Sequence, residues 1–196
     1  MPEILTSLHG RRFGLDPAGN LVARPDSGTE PKFLAFTKHN DIAAGAALTN
    51  STAETILASS TIRARSLQAG QLIAVRFAGI VTAANSTDTL TVRLRLGGLS
   101  GTVLIGMAAQ DVSANDVFTG EYELAVRSVG AAGTVVGVGT FKSVPAAEGT
   151  MTVKDDILPA TALDTTVDQV IAVTGQWSVA NAGNSCRSDF FRVQFG

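Results

Sequence analysis

Residues Thr89–Leu96 alternate strictly between polar and apolar side chains, and this pattern constrains the fold more than any other feature of the chain. Two arginines, Arg93 and Arg95, fall on the polar face. The residues of the apolar face are Leu90, Val92, Leu94 and Leu96. Because successive side chains of a β-strand point to opposite sides of a sheet, the pattern predicts a strand with one buried face.

The same period of two recurs along most of the chain after Ala53. Further strands are predicted in residues 54–62, 70–83, 102–110, 116–127, 134–141, 150–157, 168–179 and 191–195. We expect Val103 and Val179 to point inward, and Trp177 and Phe191 to lie in the core. Turn sequences rich in Gly, Asn and Ser separate these segments. The predicted fold class is all-β: an antiparallel β-sandwich of the jelly-roll type, with about eight strands and an extended N-terminal arm.

The N-terminal part of the chain differs from the rest. It holds both histidines and most of the prolines, and a turn sequence at 17–20 separates two short apolar segments, which indicates a small hairpin or a bent arm. We predict an extended arm and linker at 1–45 and a jelly-roll domain at 46–196. An arm with so few apolar groups is ordered only by docking on a partner. The candidate docking residues are His9, Arg11, Arg12, Phe13, Leu15, Leu21 and Arg24.

Composition limits the partners that we expect. The chain is 45% hydrophobic but only 16% charged, which suits a surface that is largely covered by other copies or by a partner. The net charge of −2 offers no basic excess for nucleic acid. No apolar run approaches the length of a membrane span, and the start lacks the features of a signal peptide, so we expect synthesis in the cytoplasm and no membrane partner.

Residues with catalytic or metal-binding chemistry are few. Neither His9 nor His39 has a nucleophile in a suitable motif, and the single cysteine, Cys186, is expected to be a buried apolar residue. Most carboxylates lie at turns or on outward strand positions. The loop oxygens of Asp155–Asp156, and of Asp164 with Asp168, could hold calcium, but the spacing of an EF-hand is absent. We therefore expect no enzyme activity, no metal and no cofactor.

Three stretches resemble tailed-bacteriophage virion proteins: residues 8–16 (LHGRRFGLD), 85–98 (NSTDTLTVRLRLGG) and 175–187 (GQWSVANAGNSCR). The chain resembles the jelly-roll proteins of the phage head, which include capsid decoration (cement) proteins and the bases of head fibres. The resemblance implies a structural protein on the head surface, bound to the lattice of the major capsid protein through the arm. It also implies a homo-oligomer, with a trimer favoured.

Three other functions stay open. The same fold suits a tail, baseplate or fibre module that binds a receptor or a glycan. It also suits a carbohydrate-active enzyme or a lectin-like module, and a jelly-roll shell protein is the last alternative. Localisation in the particle separates the first of these from a decoration protein.

Overall fold

A computed structural model describes residues 12–15, 21–24, 38–41, 43–146 and 151–196. The chain divides into two units, residues 1–37 and 38–196. In the first unit, β1 (Arg12–Leu15) pairs with β2 (Leu21–Arg24) in an antiparallel hairpin. The predicted turn at 17–20 lies outside the described residues. The predicted boundary between residues 45 and 46 stays a prediction.

The second unit is built of strands, and its described residues contain no α-helix, only a 3-10 turn at Gly98–Ser100. The strands are β3 (Lys38–Asp41), β4 (Leu48–Thr49), β5 (Thr55–Ile62), β6 (Leu72–Thr82), β7 (Thr89–Leu96), β8 (Thr102–Gly106), β9 (Gln110–Asp111), β10 (Asp116–Ser128), β11 (Thr134–Val144), β12 (Thr152–Ala162), β13 (Gln169–Trp177) and β14 (Ser185–Phe195).

Two antiparallel sheets form a sandwich, which confirms the predicted fold class. The large sheet has the order β12-β11-β10-β6-β14-β3, with β4 also paired to β14. The small sheet has the order β5-β13-β7-β8, with β9 also paired to β7. Neighbouring strands are therefore often distant in the sequence, and each sheet receives strands from both halves of the chain.

The core lies between the inner faces of the two sheets. The residues predicted for it, Leu90, Val92, Leu94, Leu96, Trp177 and Phe191, are each at most 5% exposed. Two large aromatic side chains of the core, Trp177 and Tyr122, carry polar groups. Each of these groups makes a hydrogen bond, because a buried polar group without a partner is unfavourable. The indole Nε1 of Trp177 donates to the carbonyl of Leu48 at 3.3 Å, and the hydroxyl of Tyr122 donates to the carbonyl of Leu104 at 3.1 Å.

Glycine lets the aromatic rings lie flat on the large sheet. A Cβ added at Gly139 would lie 1.9 Å from Cδ2 of Tyr122, and one at Gly120 would lie 2.2 Å from Cζ of Phe77. The ring of Phe77 continues this layer, with its centroid 5.6 Å from that of Phe141.

Two predicted inward positions are wrong. Val103 is 39% exposed, whereas its neighbour Leu104 is buried, because the pairing of β7 with β8 shifts register there and turns Val103 outward. Val179 is 46% exposed because β13 ends at Trp177, before the alternation would have turned Val179 inward. The prediction that Cys186 is buried is confirmed, since its exposure is zero.

Candidate functional site

The outer face of the large sheet carries one row of polar residues that crosses five strands. Each residue is the direct cross-strand neighbour of the next. From β12 to β14 the residues are Asp155, Thr140, Glu121, Arg76 and Arg192. We call them the charge row. At about 4.8 Å between strands, the row is about 19 Å long. Its acidic residues lie toward β12 and its basic residues toward β14.

The acidic end of the charge row borders a groove of about 410 Å³. The hydroxyl of Thr140 donates to Oδ1 of Asp155 at 2.6 Å. Glu121 and Glu123 line the same groove, together with the apolar side chains of Val138 and Ile157. This end therefore offers carboxylate oxygens beside an apolar surface.

The basic end borders a second groove, of about 360 Å³, which Lys142 and Phe190 also line. Arg76 lies directly opposite Arg192, and like charges in this arrangement are unfavourable. Nε of Arg76 lies 3.5 Å from Oε1 of Glu121, with both side chains more than half exposed. Nε of Arg192 is buried and has no hydrogen-bond partner among the described residues. The two guanidinium groups are thus only partly compensated within the described part of the chain.

An apolar strip lies beside the acidic end, on the free edge of the large sheet. It consists of Val138, Met151, Val153 and Ile157. Ile157 is 76% exposed and Val138 is 54% exposed, and the two are cross-strand neighbours. Within the described residues β12 pairs only with β11, so it is an edge strand. Pro159 and the charges of Lys154 and Asp155 reduce its tendency to pair with other strands.

The outer face of the small sheet carries a different arrangement of charges, the Glu54 cluster (Glu54, Arg93, Arg95 and Thr174). Arg95 donates from Nε and Nη2 to the two oxygens of Glu54, at 2.7 and 2.9 Å. Nη1 of Arg93 lies 3.3 Å from Oε2 of Glu54, and the hydroxyl of Thr174 donates to Oε1 at 2.5 Å. Bidentate contacts of this kind are among the strongest polar interactions in proteins.

The cluster also sets the ionisation of Glu54. Burial by itself raises the pKa of this carboxyl. The hydrogen bonds from Arg95 and Thr174 and the charges of the two arginines outweigh burial, so the pKa lies below its ordinary value of 4.5. Glu54 was not singled out in the sequence. The one indication in the sequence is that Arg93 and Arg95 lie on the same outward face of a predicted strand. Two neighbouring arginines favour a carboxylate close by, but the sequence does not show which carboxylate it is.

The sequence-predicted docking residues fall in the first unit. Arg12, Phe13 and Leu15 lie in β1, and Leu21 and Arg24 lie in β2. His9 and Arg11 lie outside the described residues. Only the backbone of these two strands is described. Their role in docking remains a prediction, and the charge row and the Glu54 cluster belong to the second unit.

Three aspartates near strand ends, among them the calcium candidates Asp164 and Asp168, have hydrogen-bond partners within the described residues. Asp116 is buried and accepts from the backbone amides of Ser113 and Ala146, at 2.7 and 2.8 Å. Oδ1 of Asp168 accepts from the amide of Ala64 at 2.7 Å, and Oδ1 of Asp164 accepts from the hydroxyl and the amide of Thr166. These bonds close loops at strand ends.

Metal-binding and nucleophilic groups are also sparse in the described part of the chain. There, no three His, Cys, Asp or Glu residues lie together as a possible metal site. Burial raises the pKa of the Cys186 thiol to about 12, so the thiolate is strongly disfavoured.

The two histidines add no described side chain to a site. His39 lies in β3, whose side chains are not described, and His9 lies outside the described residues. No described helix is long and apolar enough to cross a membrane.

No protein-family model matches the chain, and no curated protein matches it. Among solved structures it is similar to a mutant VP2 protein of infectious bursal disease virus in derived T=1 particles, with 15% identity and a TM-score of 0.37 over 96% of this chain and 39% of that one. The chain thus spans about two fifths of that protein.

Two lectins are similar to the chain at the same level. One is a seed lectin of Lotus tetragonolobus, with 8% identity and a TM-score of 0.35 over 100% of this chain and 91% of that one. The other is the lectin UEA-II in complex with galactose, with 11% identity and a TM-score of 0.34 over 94% of this chain and 90% of that one. Similarities this low carry no argument about function.

Proposed function

We propose that the protein is a non-enzymatic structural component of a virus particle, a decoration protein on the outside of a phage head. The arm docks on the lattice of the major capsid protein, and the sandwich associates with other copies. The sequence resemblance to phage virion proteins supports the proposal. So does the division of the chain into a small N-terminal unit and a sandwich.

The observation that carries the proposal is the apolar strip at the free edge of the large sheet. The edge is protected against strand pairing, but the large apolar side chains that point outward from it favour association with a partner that covers them. Ile157, at 76% exposure, keeps most of its surface in water in the isolated chain. In a particle, neighbouring subunits cover such a surface, and the lattice multiplies a modest affinity per copy.

The docking role of the arm can be tested with a variant that lacks residues 1–37. This variant keeps β3, which pairs with β14. We expect it to retain a cooperative thermal transition and to stop co-sedimenting with capsids that lack the protein. Undiminished binding to capsids would contradict the docking role of the arm. Cryo-electron microscopy of the particle then places the full chain on the head or elsewhere.

A receptor-binding module of a tail or fibre is the second candidate. The groove at the acidic end favours it, because the carboxylates of Glu123 and Asp155 can accept hydrogen bonds from sugar hydroxyls. A glycan array separates the two functions. Specific binding that is lost in Glu123→Gln, with an unchanged melting temperature, would favour the receptor role, and a negative array with head localisation would favour decoration.

A further inference from the structure

The charges of the charge row are separated by sign. Within this row, the one ion pair that the described residues show is that of Glu121 and Arg76, at 3.5 Å. The ends of the charge row are about 19 Å apart, well beyond the screening length of about 8 Å at physiological ionic strength. Asp155 and Arg192 therefore do not compensate each other within one copy. A row that is acidic at one end and basic at the other is complementary to itself when a second copy is rotated by half a turn.

We infer that the occupant of this face is a second copy of the same chain. The two large sheets stack face to face about a two-fold axis that runs parallel to the strands, between β10 and β6. The axis maps β10 onto β6 of the second copy. Glu121 and Arg76 are cross-strand neighbours in one row, so Glu121 of each copy then faces Arg76 of the other. The inference rests on the self-association in the proposed function and gives it a two-fold geometry, in place of the trimer that the sequence resemblance implies.

The same rotation also pairs outward residues on either side of the central contact. It brings Arg192 of one copy to Thr140 of the other and to Asp155, the hydrogen-bond partner of Thr140. In the neighbouring row it brings the exposed Lys142 to the ring of Phe190, an arrangement that favours a cation–π contact. No like charges of the charge row face each other in this arrangement.

The geometry of stacked sheets agrees with an axis at this position. Twisted sheets pack about 10 Å apart and cross at about 30°, so contacts are best maintained near the crossing point. The central Glu121–Arg76 pairs lie there. Five strands and three rows of outward residues cover about 24 by 20 Å, or about 500 Å² per copy. The two copies together would bury about 1,000 Å², which is below the range of stable complexes, so we expect a dissociation constant of about 100 μM or weaker.

Charge-reversal variants of Glu121 and Arg76 test the inference. Glu121→Arg makes the central contact wholly basic, and Arg76→Glu makes it wholly acidic. We expect the wild type to form a dimer in sedimentation equilibrium at several hundred micromolar and each variant alone to be monomeric. An equimolar mixture of the two variants should form a heterodimer, since every facing pair is then of opposite sign. Raising the salt concentration should weaken both complexes.

The matched controls make the same changes of charge at positions outside the outer face of the large sheet. Asp111→Arg, in β9 of the small sheet, and Arg63→Glu, in a loop, should leave the wild-type mass unchanged and gain no affinity on mixing. A monomeric wild type, a trimer, or a mixture of the two face variants that stays monomeric would overturn the two-fold contact. Arm-dependent binding to capsids is measured separately, so the failure of one proposal is distinguishable from the failure of the other.

Discussion

The two outer faces of the sandwich use arginines and carboxylates in opposite ways. On the small sheet, the side chains of Glu54 and Arg95 are 18% and 15% exposed and make two hydrogen bonds shorter than 3 Å. On the large sheet, Arg76 and Glu121 are 58% and 67% exposed and approach only to 3.5 Å. The first face completes its polar contacts within the chain. The second leaves its charges separated and an apolar strip uncovered.

This difference between the two faces indicates that one contributes to the stability of the fold and the other to association with other molecules. A half-buried bidentate pair contributes to folding because its removal leaves a charge in poorly solvated surroundings. An exposed pair contributes little, since water and salt screen it. Substitutions on the small-sheet face should therefore change the free energy of unfolding, and substitutions on the large-sheet face should change the binding of other molecules.

The largest effect is expected from Glu54→Gln. The substitution leaves Arg93 and Arg95 without a carboxylate while it keeps the size of the side chain. We expect the free energy of unfolding to fall by about 2 kcal/mol in urea denaturation. The matched control, Glu121→Gln on the other face, should cost less than about 0.5 kcal/mol. Equal losses for the two variants would contradict the distinction between the faces.

Acid should remove the contribution of Glu54. The pKa of this carboxyl is lowered in the folded protein, so its contribution is complete above the ordinary value of 4.5 and is lost as the pH falls through the folded value. We expect the stability difference between the wild type and Glu54→Gln to be constant near neutral pH and to shrink below about pH 4.5. The measurement is urea denaturation of both proteins as a function of pH. A difference that grows on acidification would show that another group dominates.

The elements of this fold could be predicted where the sequence pattern is local. The alternation in Thr89–Leu96 predicted β7 with its observed bounds, because every residue of that strand follows the period of two. The failures at Val103 and Val179 have non-local causes. A register shift arises from pairing with another strand, and a strand ends where its neighbours stop pairing with it, so neither can be seen in the alternating residues themselves.

The candidate sites depend even more on pairing between distant segments. Glu54 and Arg95 are 41 residues apart in the sequence and meet because β13 brings β5 and β7 into one sheet. The charge row draws its residues from five strands between β6 and β14. The sequence predicted the outward face of strands with clear alternation, such as β7, but which outward residues become neighbours depends on the strand order, which alternation does not determine.

A smaller effect is expected from Ile157→Ser in the apolar strip. Because the side chain is largely exposed, the free energy of unfolding should change by less than about 0.5 kcal/mol. Self-association should weaken about tenfold if a second copy covers the residue, as expected for the loss of one partly buried aliphatic side chain. Val179→Ser, at an exposed position after β13, is the control and should leave the dissociation constant in sedimentation equilibrium unchanged. An unchanged constant for Ile157→Ser would place the strip outside the interface.

The smallest effect concerns the contact between Arg76 and Glu121 within one copy. In a double-mutant cycle with Arg76→Ala and Glu121→Ala, at low micromolar concentration where the chain is monomeric, we expect a coupling below about 0.5 kcal/mol in urea denaturation. The same cycle for Arg95 and Glu54 should give a clearly larger value. A coupling above about 1 kcal/mol for the first pair would mean that the charge row already stabilises the monomer. If Glu121 of each copy faces Arg76 of the other in the dimer, the same cycle measured on dimer dissociation should give a larger coupling.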